Sequence, residues 1–204
     1  MTPQSYTSLK LYAECPYLYY RQYIRKDLPR ESSPALERGN KVHSELETCV
    51  RDQKLPHNIW TPDGLLPRLW KLGARAEVPL ALDADLQRVD FWDPAAVLRG
   101  KVDVVAVDGA QPRIWDWKTG QFRFDTLQAE VNRFLLLAGA PLPVEFSWVF
   151  VDQEQVHTEL FEGKEGLLKV AGMVKEVNEA EDFPPKKNWR CGRFCTIPCR
   201  SGEC

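Results

Sequence analysis

Asp103, Asp116 and Lys118 are the residues whose types and spacing can do chemistry; they lie in the run GKVDVVAVDGAQPRIWDWKTG. On a strand, residues two apart share a face, so Asp116 and Lys118 point one way while Trp115 and Trp117 point the other. A two-residue turn at Gly109 and Ala110 places Asp103 opposite Asp116, and a four-residue loop through Pro112 places it opposite Lys118. Either loop puts all three on one face. Two carboxylates there repel one another unless a cation or a proton sits between them. A divalent ion held by Asp103 and Asp116 removes that conflict, and it would polarise a phosphodiester oxygen and activate a water. Lys118 beside it could orient that water or offset developing negative charge. A lone Asp-x-Lys is more often a solvent-facing hairpin with a surface ion pair, so the surroundings decide.

Those surroundings read as alternating elements. RAEVPLAL, VLRGKVDVVAV and RIWDWK predict a three-strand meander from Arg75. Asp125 followed by Gln128 resembles a capping box, and Leu127, Val131, Phe134, Leu135 and Ala138 make the helical face that follows, ending at Gly139. VEFSWVFV and VHTELF predict a hairpin, and a last helix runs from Lys164 to Glu179. Upstream, Pro34 opens a helix with Leu36, Gly39, Val42, Leu46 and Val50 along one stripe and His43 at its border. Gly39 in a helix interior costs ~1 kcal/mol relative to Ala, which predicts the close approach of another element. Residues 52–74 read as a loop with a short helix around Leu65 to Leu72. An α-rich start, then βββαββ, then α, predicts an α/β fold with a central sheet sandwiched by helices.

The two ends differ from the middle. All six tyrosines lie in the first 23 residues, interleaved with Lys10, Arg21 and Arg25, and Pro16 separates two short helices there. Such rings could stack on bases, although packing of a helical pair onto the domain is the commoner use. Residues 1–30 hold five Lys/Arg against two Asp/Glu and residues 184–204 hold five against one, whereas the net charge is only −2. The middle is therefore acidic, an arrangement suited to holding a polyanion beside a metal ion. Four of six cysteines, Cys191, Cys195, Cys199 and Cys204, crowd the tail, with Cys15 and Cys49 far upstream. Cys49, on a helix, reads as a small buried residue. A chain of 204 residues with 44% hydrophobic side chains fits one globular domain. No run approaches the ~20 apolar residues that span a bilayer, and MTPQSYTSLK has no apolar secretion segment, so a cytoplasmic protein is expected.

Taken in order, SYTSLKLYAECPYLYYRQY, RGNKVHSELE, LRGKVDVVAVD, IWDWKTG, QAEVNRFLLLA and a cysteine-rich end resemble the RecB-like branch of the PD-(D/E)XK nucleases, which includes AddB-type and CRISPR-adaptation enzymes. The resemblance implies a restriction-endonuclease-like core over residues 1–204 with a mixed central sheet. It implies that Asp103 and Asp116 are metal ligands, that Lys118 is the catalytic lysine, and that His43 is the upstream histidine ligand. An imidazole suits Mn²⁺ better than Mg²⁺, so His43 favours manganese dependence. Gln128 matches the glutamine of a QxxxY motif and is expected to contact the lysine or the DNA backbone; Asn132 stands where the tyrosine belongs. Glu77, where relatives carry an acid, is a further candidate ligand or a group behind the ligands, with a surface strand position as the alternative.

In iron–sulfur members of the branch, one cysteine beside a proline and three at the C-terminus clasp the chain ends around a [4Fe–4S] cluster. The resemblance implies Cys15, Cys191, Cys195 and Cys199, with Cys204 as a substitute. Residues 1–30 and 184–204 would form that clasp. The spacing in the tail departs from the usual one, and zinc held by the tail alone, or unligated cysteines, remain alternatives. The implied activity is a metal-dependent deoxyribonuclease, an exonuclease or end-processing enzyme acting on single strands or DNA ends in recombination, repair or phage DNA metabolism. A helicase or recombination partner fits that role. The competing readings are a non-catalytic nucleic-acid-binding module or a zinc-binding adaptor that keeps the fold.

Overall fold

The computed structural model describes residues 2–28, 32–188 and 191. Its elements in chain order are α1 (Tyr6–Glu14), α2 (Pro16–Tyr19) continuing into a π-helical turn (Tyr20–Ile24), α3 (Pro34–Asp52), α4 (Leu65–Lys71), β1 (Arg75–Leu82), β2 (Leu98–Asp108), β3 (Gln111–Lys118), α5 (Thr126–Leu137), β4 (Val144–Phe150), β5 (Gln155–Phe161) and α6 (Glu165–Glu179). The five strands form one sheet in the order β1-β2-β3-β4-β5. All neighbours run antiparallel except β3 and β4, which are parallel, as the helical crossover α5 between them requires. The fold is thus mixed α/β, a five-stranded sheet covered by helices on both sides.

Each face buries its own core. On one, Val42, Leu46 and Val50 of α3 and Leu66 and Leu69 of α4 pack on Val104, Trp115, Trp117 and Val149. On the other, Ala129 of α5 packs on Ile114, Phe146, Trp148 and Phe150. Beyond α5, the N-terminal helices and α6 enclose a third cluster around Leu9, Leu18, Tyr19, Phe134 and Val170. The tyrosines serve that cluster: Tyr19 stacks on Tyr23 and meets Tyr12 edge-on. Their basic neighbours are engaged within the chain, Arg21 and Arg25 with Asp27 and Lys10 with Asp125, so packing rather than base stacking accounts for this segment.

A departure from strand periodicity positions the site. β1 and β2 pair from Arg75↔Val105 to Leu82↔Leu98, but Glu77 and Asp103 drop out of the ladder. Glu77 has φ 47°, a left-handed conformation that few non-glycine residues adopt. The sheet changes side at this point. Val104 packs with Trp115 and Trp117 beneath α3, whereas Val102, two residues earlier, packs with Ile114 and Phe146 beneath α5. Regular alternation would keep them together.

Candidate metal centre

The turn between β2 and β3 is the two-residue one, closed by Asp108↔Gln111. Continuing its register would set Asp103 opposite Asp116, but the ladder stops at Val104↔Trp115, where the strands part. The parting frees the backbone N–H of Trp117, and the Asp103 carboxylate accepts it at 2.9 Å. That bond fixes the carboxylate between β3 and α3, where its Oδ2 lies 3.2 Å from His43 Nδ1. Glu77 completes the group: one ligand atom from each of His43, Glu77 and Asp103 lies within 4.8 Å of the others. Glu77 also faces Lys101 at 3.3 Å.

Asp116 stands beside this trio with its oxygens engaged by other partners. Gln128 Nε2 donates to Asp116 Oδ1 at 2.7 Å, and Lys118 Nζ stands 2.5 Å from Oδ2. Lys118 also donates to Gln128 Oε1 at 2.6 Å, so acid, lysine and amide close a ring between β3 and α5. Asp125 caps α5 by accepting from the backbone of Gln128. The cap is half a box, because the Gln128 side chain is committed to Asp116 and Lys118. Asp125 is held in turn by Tyr6 and Lys10, which ties α1 to the same end of the sheet. Asn132 is buried one helical turn on.

The electrostatics leave a deficit. Asp116 is 1% exposed, and burial, followed by the charge of Asp103, pushes its carboxyl up to about 7 despite the lysine. Burial works against a charged His43, but the hydrogen bond and charge of Asp103 outweigh it and hold the imidazole above its ordinary value. These are groups that a divalent cation would stabilise in their deprotonated forms. The donor set, carboxylate oxygens with one imidazole, fits a hard or borderline divalent ion. A cleft of about 570 Å³ opens over it, lined in part by Gly39, Asn40, His43, Glu77, Lys118 and Thr119. At Gly39, α3 passes close to the end of β3: a Cβ there would meet Thr119 Oγ1 at 3.2 Å.

The sequence profile of the PD-(D/E)XK nuclease superfamily matches residues 3–200. This chain belongs to that superfamily. Members are usually metal-dependent nucleases, and the acidic cluster with its histidine is the metal-binding candidate in this one. The fold is similar to the solved structure of SSO0001, with a TM-score of 0.56 at 13% identity, covering 96% of this chain and 86% of that one. At that identity the likeness concerns the fold alone. A comparison with curated proteins gives no match.

Cys15 is buried beside Pro16, and Cys49 is buried in α3. Cys191 is partly exposed and accepts the backbone N–H of Asn188 at 3.4 Å. Cys195, Cys199 and Cys204 lie outside the described residues. Among the described residues no helix is long and apolar enough to cross a membrane. Two further elements lie near the site. One is the anchoring of Asp125 by Tyr6 and Lys10, which leaves no local signal. The other is the Phe-Arg-Phe run before Asp125, whose composition alone marks it.

Proposed function

We propose that this protein is a divalent-metal-dependent deoxyribonuclease of the RecB-like branch, an exonuclease or end-processing enzyme acting on single strands or DNA ends during recombination, repair or phage DNA metabolism. The observation that carries this reading is the buried Asp116, left short of countercharge beside Asp103 and ringed by Lys118 and Gln128. Burial and the neighbouring Asp103 raise its pKa even with Lys118 at 2.5 Å, which favours the binding of a further positive charge. His43, Glu77, Asp103 and Asp116 are the residues that would hold the ion, and His43 favours Mn²⁺ over Mg²⁺. When bound, the ion supplies Lewis-acid polarisation of the phosphate and a water of lowered pKa. The chain's own residues do the rest. Gln128 and Asp116 hold Lys118 Nζ in place, so that its ammonium meets the charge that develops on the phosphoryl oxygens. The Trp117 N–H fixes Asp103, and α3 brings His43 to it.

The same reading takes residues 1–204 as one nuclease unit whose ends are clasped by a [4Fe–4S] cluster on Cys15, Cys191, Cys195 and Cys199. Docking of the tail supports it: Lys186 Nζ donates to Ala13 O and Asn188 Nδ2 to Glu14 O, each at 3.0 Å, which brings the chain before Cys191 against the residues before Cys15.

Purified protein incubated with end-labelled single-stranded and duplex DNA in Mg²⁺, Mn²⁺ or chelator tests the activity. Metal-dependent shortening, faster in Mn²⁺ and stopped by chelator, is expected. Binding without cleavage in either metal would replace this reading with a non-catalytic module. Anaerobically prepared protein should be brown and should bleach on Cys15→Ala; colourless protein with tightly bound zinc would contradict the cluster.

A further inference from the structure

The segment joining β3 to α5 carries an aromatic and basic tip that the metal centre does not use and that the core covers only on one side. Phe122 and Phe124 are 42% and 43% exposed, and the exposed Arg123 stands between them. Arg123 has no hydrogen-bond or ion-pair partner among the described residues. Lys10, Arg21, Arg25 and Arg38 all have carboxylate partners.

Both ends of the tip are fixed. Gly120 N–H donates to Asp152 at 2.8 Å and Gln153 donates to Gly120 O, while Asp152 is gripped by Arg38 of α3. At the other end Asp125 is held by Tyr6 and Lys10. The rings are backed as well. Phe122 lies 4.3 Å from Phe150, centroid to centroid, and Phe124 lies 4.0 Å from His157 at 33°. The two phenylalanines meet edge-on at 4.7 Å. Two large apolar rings held half in water by a braced loop forfeit hydrophobic stabilisation that burial would supply. Phe122 follows Lys118 by four residues and Phe124 precedes Gln128 by four. Four extended residues span at most about 14 Å, so the tip lies within reach of a strand whose phosphate sits at Lys118.

We propose that Phe122 and Phe124 form a stacking platform for an unpaired base of the DNA strand being cut, and that Arg123 takes the phosphate beside that base. The inference rests on the nuclease reading and narrows its substrate. A base inside a duplex is sandwiched between its neighbours and has no free face, so the strand must be single or frayed where it meets the platform. A phenyl face accepts any base, so the contact confers strandedness and no sequence preference.

The test uses full-length protein with divalent ions chelated and fluorescein-labelled oligonucleotides read by anisotropy: a single strand, the same strand made abasic, and a blunt duplex. The wild type, Phe122→Ala/Phe124→Ala, Phe122→Leu/Phe124→Leu and Arg123→Ala are compared, with melting temperature recorded for each. The leucine pair keeps apolar bulk against Phe150 and His157 and removes only the ring faces. The wild type should prefer the normal strand to the abasic one, and both phenylalanine pairs should lose about tenfold in single-strand affinity with little change for the duplex. Arg123→Ala should reduce the slope of log affinity against log salt by about 0.7. Equal binding of the normal and abasic strands by the wild type, or undiminished single-strand binding by the leucine pair at wild-type melting temperature, overturns the platform. If the wild type binds and cuts single strands regardless of these rings, the platform alone fails. If it neither binds nor cuts DNA in Mg²⁺ or Mn²⁺, the nuclease reading fails and takes the platform with it.

Discussion

Arg133 of α5 and Asp116 of β3, which meets α5 through Gln128, are both buried charges, and the chain treats them in opposite ways. Arg133 is 0% exposed and spends its guanidinium on the chain itself: Nε donates to Leu142 O at 3.0 Å, Nη2 to Gly163 O at 2.7 Å, and Nη1 to Glu130 at 3.2 Å and to Glu162 O. These bonds tie α5 to the connection before β4 and to the one after β5. Asp116 also has partners on both oxygens, yet its burial, and after it the nearby Asp103, leave it resisting ionisation. The arginine locks the fold. The aspartate keeps a raised pKa beside Asp103 and His43, a cost that does nothing for the fold and that a metal-binding role would explain.

The largest effect that separates the two sites should be on activity. Asp103→Asn or Asp116→Asn should lower cleavage by at least about 1000-fold, because a metal contributes several kcal/mol to phosphoryl-transfer transition states. Binding of single-stranded DNA should hold or improve, since a repelling charge is gone. Single-turnover rates and anisotropy measure the two, and unchanged cleavage would remove Asp116 from the site. Arg133→Met should reverse the pattern. Stranding Glu130 and three carbonyls should cost about 3–5 kcal/mol in denaturant unfolding, while protein that remains folded cuts at the normal rate.

Lys118→Ala should fall between them, losing about 100-fold in turnover as one donor to developing charge disappears. Manganese affinity by calorimetry should change far less. A collapse of affinity equal to the loss of rate would make Lys118 a structural counter-ion. The smallest effect is on stability in chelator. Asp116 titrates above its ordinary 3.8, at about 7, in the folded state, so between those values the folded protein binds more protons than the unfolded one. Its contribution to stability therefore falls as pH rises from about 4 to about 7. Asp116→Asn removes that slope, so the variant should gain in melting temperature over the wild type as pH rises through this window. Added Mn²⁺ should cancel the gain. A difference that does not vary with pH would mean that Asp116 ionises normally.

Sequence periodicity carried much of this molecule because it is a local property. Every strand has its run of alternating or continuous apolar residues, and the helices α3, α5 and α6 have stripes that a 3.6-residue period exposes, so the βββαββα order was legible before any contact was known. Asp116 and Lys118 share a face for the same reason, and Gly39 announced a close approach in a helix interior. The tertiary structure alone decided what happens where local rules stop. It chose the two-residue turn, opened β2 from β3 so that Asp103 accepts the Trp117 N–H, and reversed the faces of β1 and β2 at Glu77 and Asp103. It also drew the Gln128 side chain from its helix cap to Lys118, and turned the tyrosines to packing. Each of these outcomes is a competition among partners far apart in the chain, settled by which buried group would otherwise go unsatisfied, and no window of neighbouring residues contains that information.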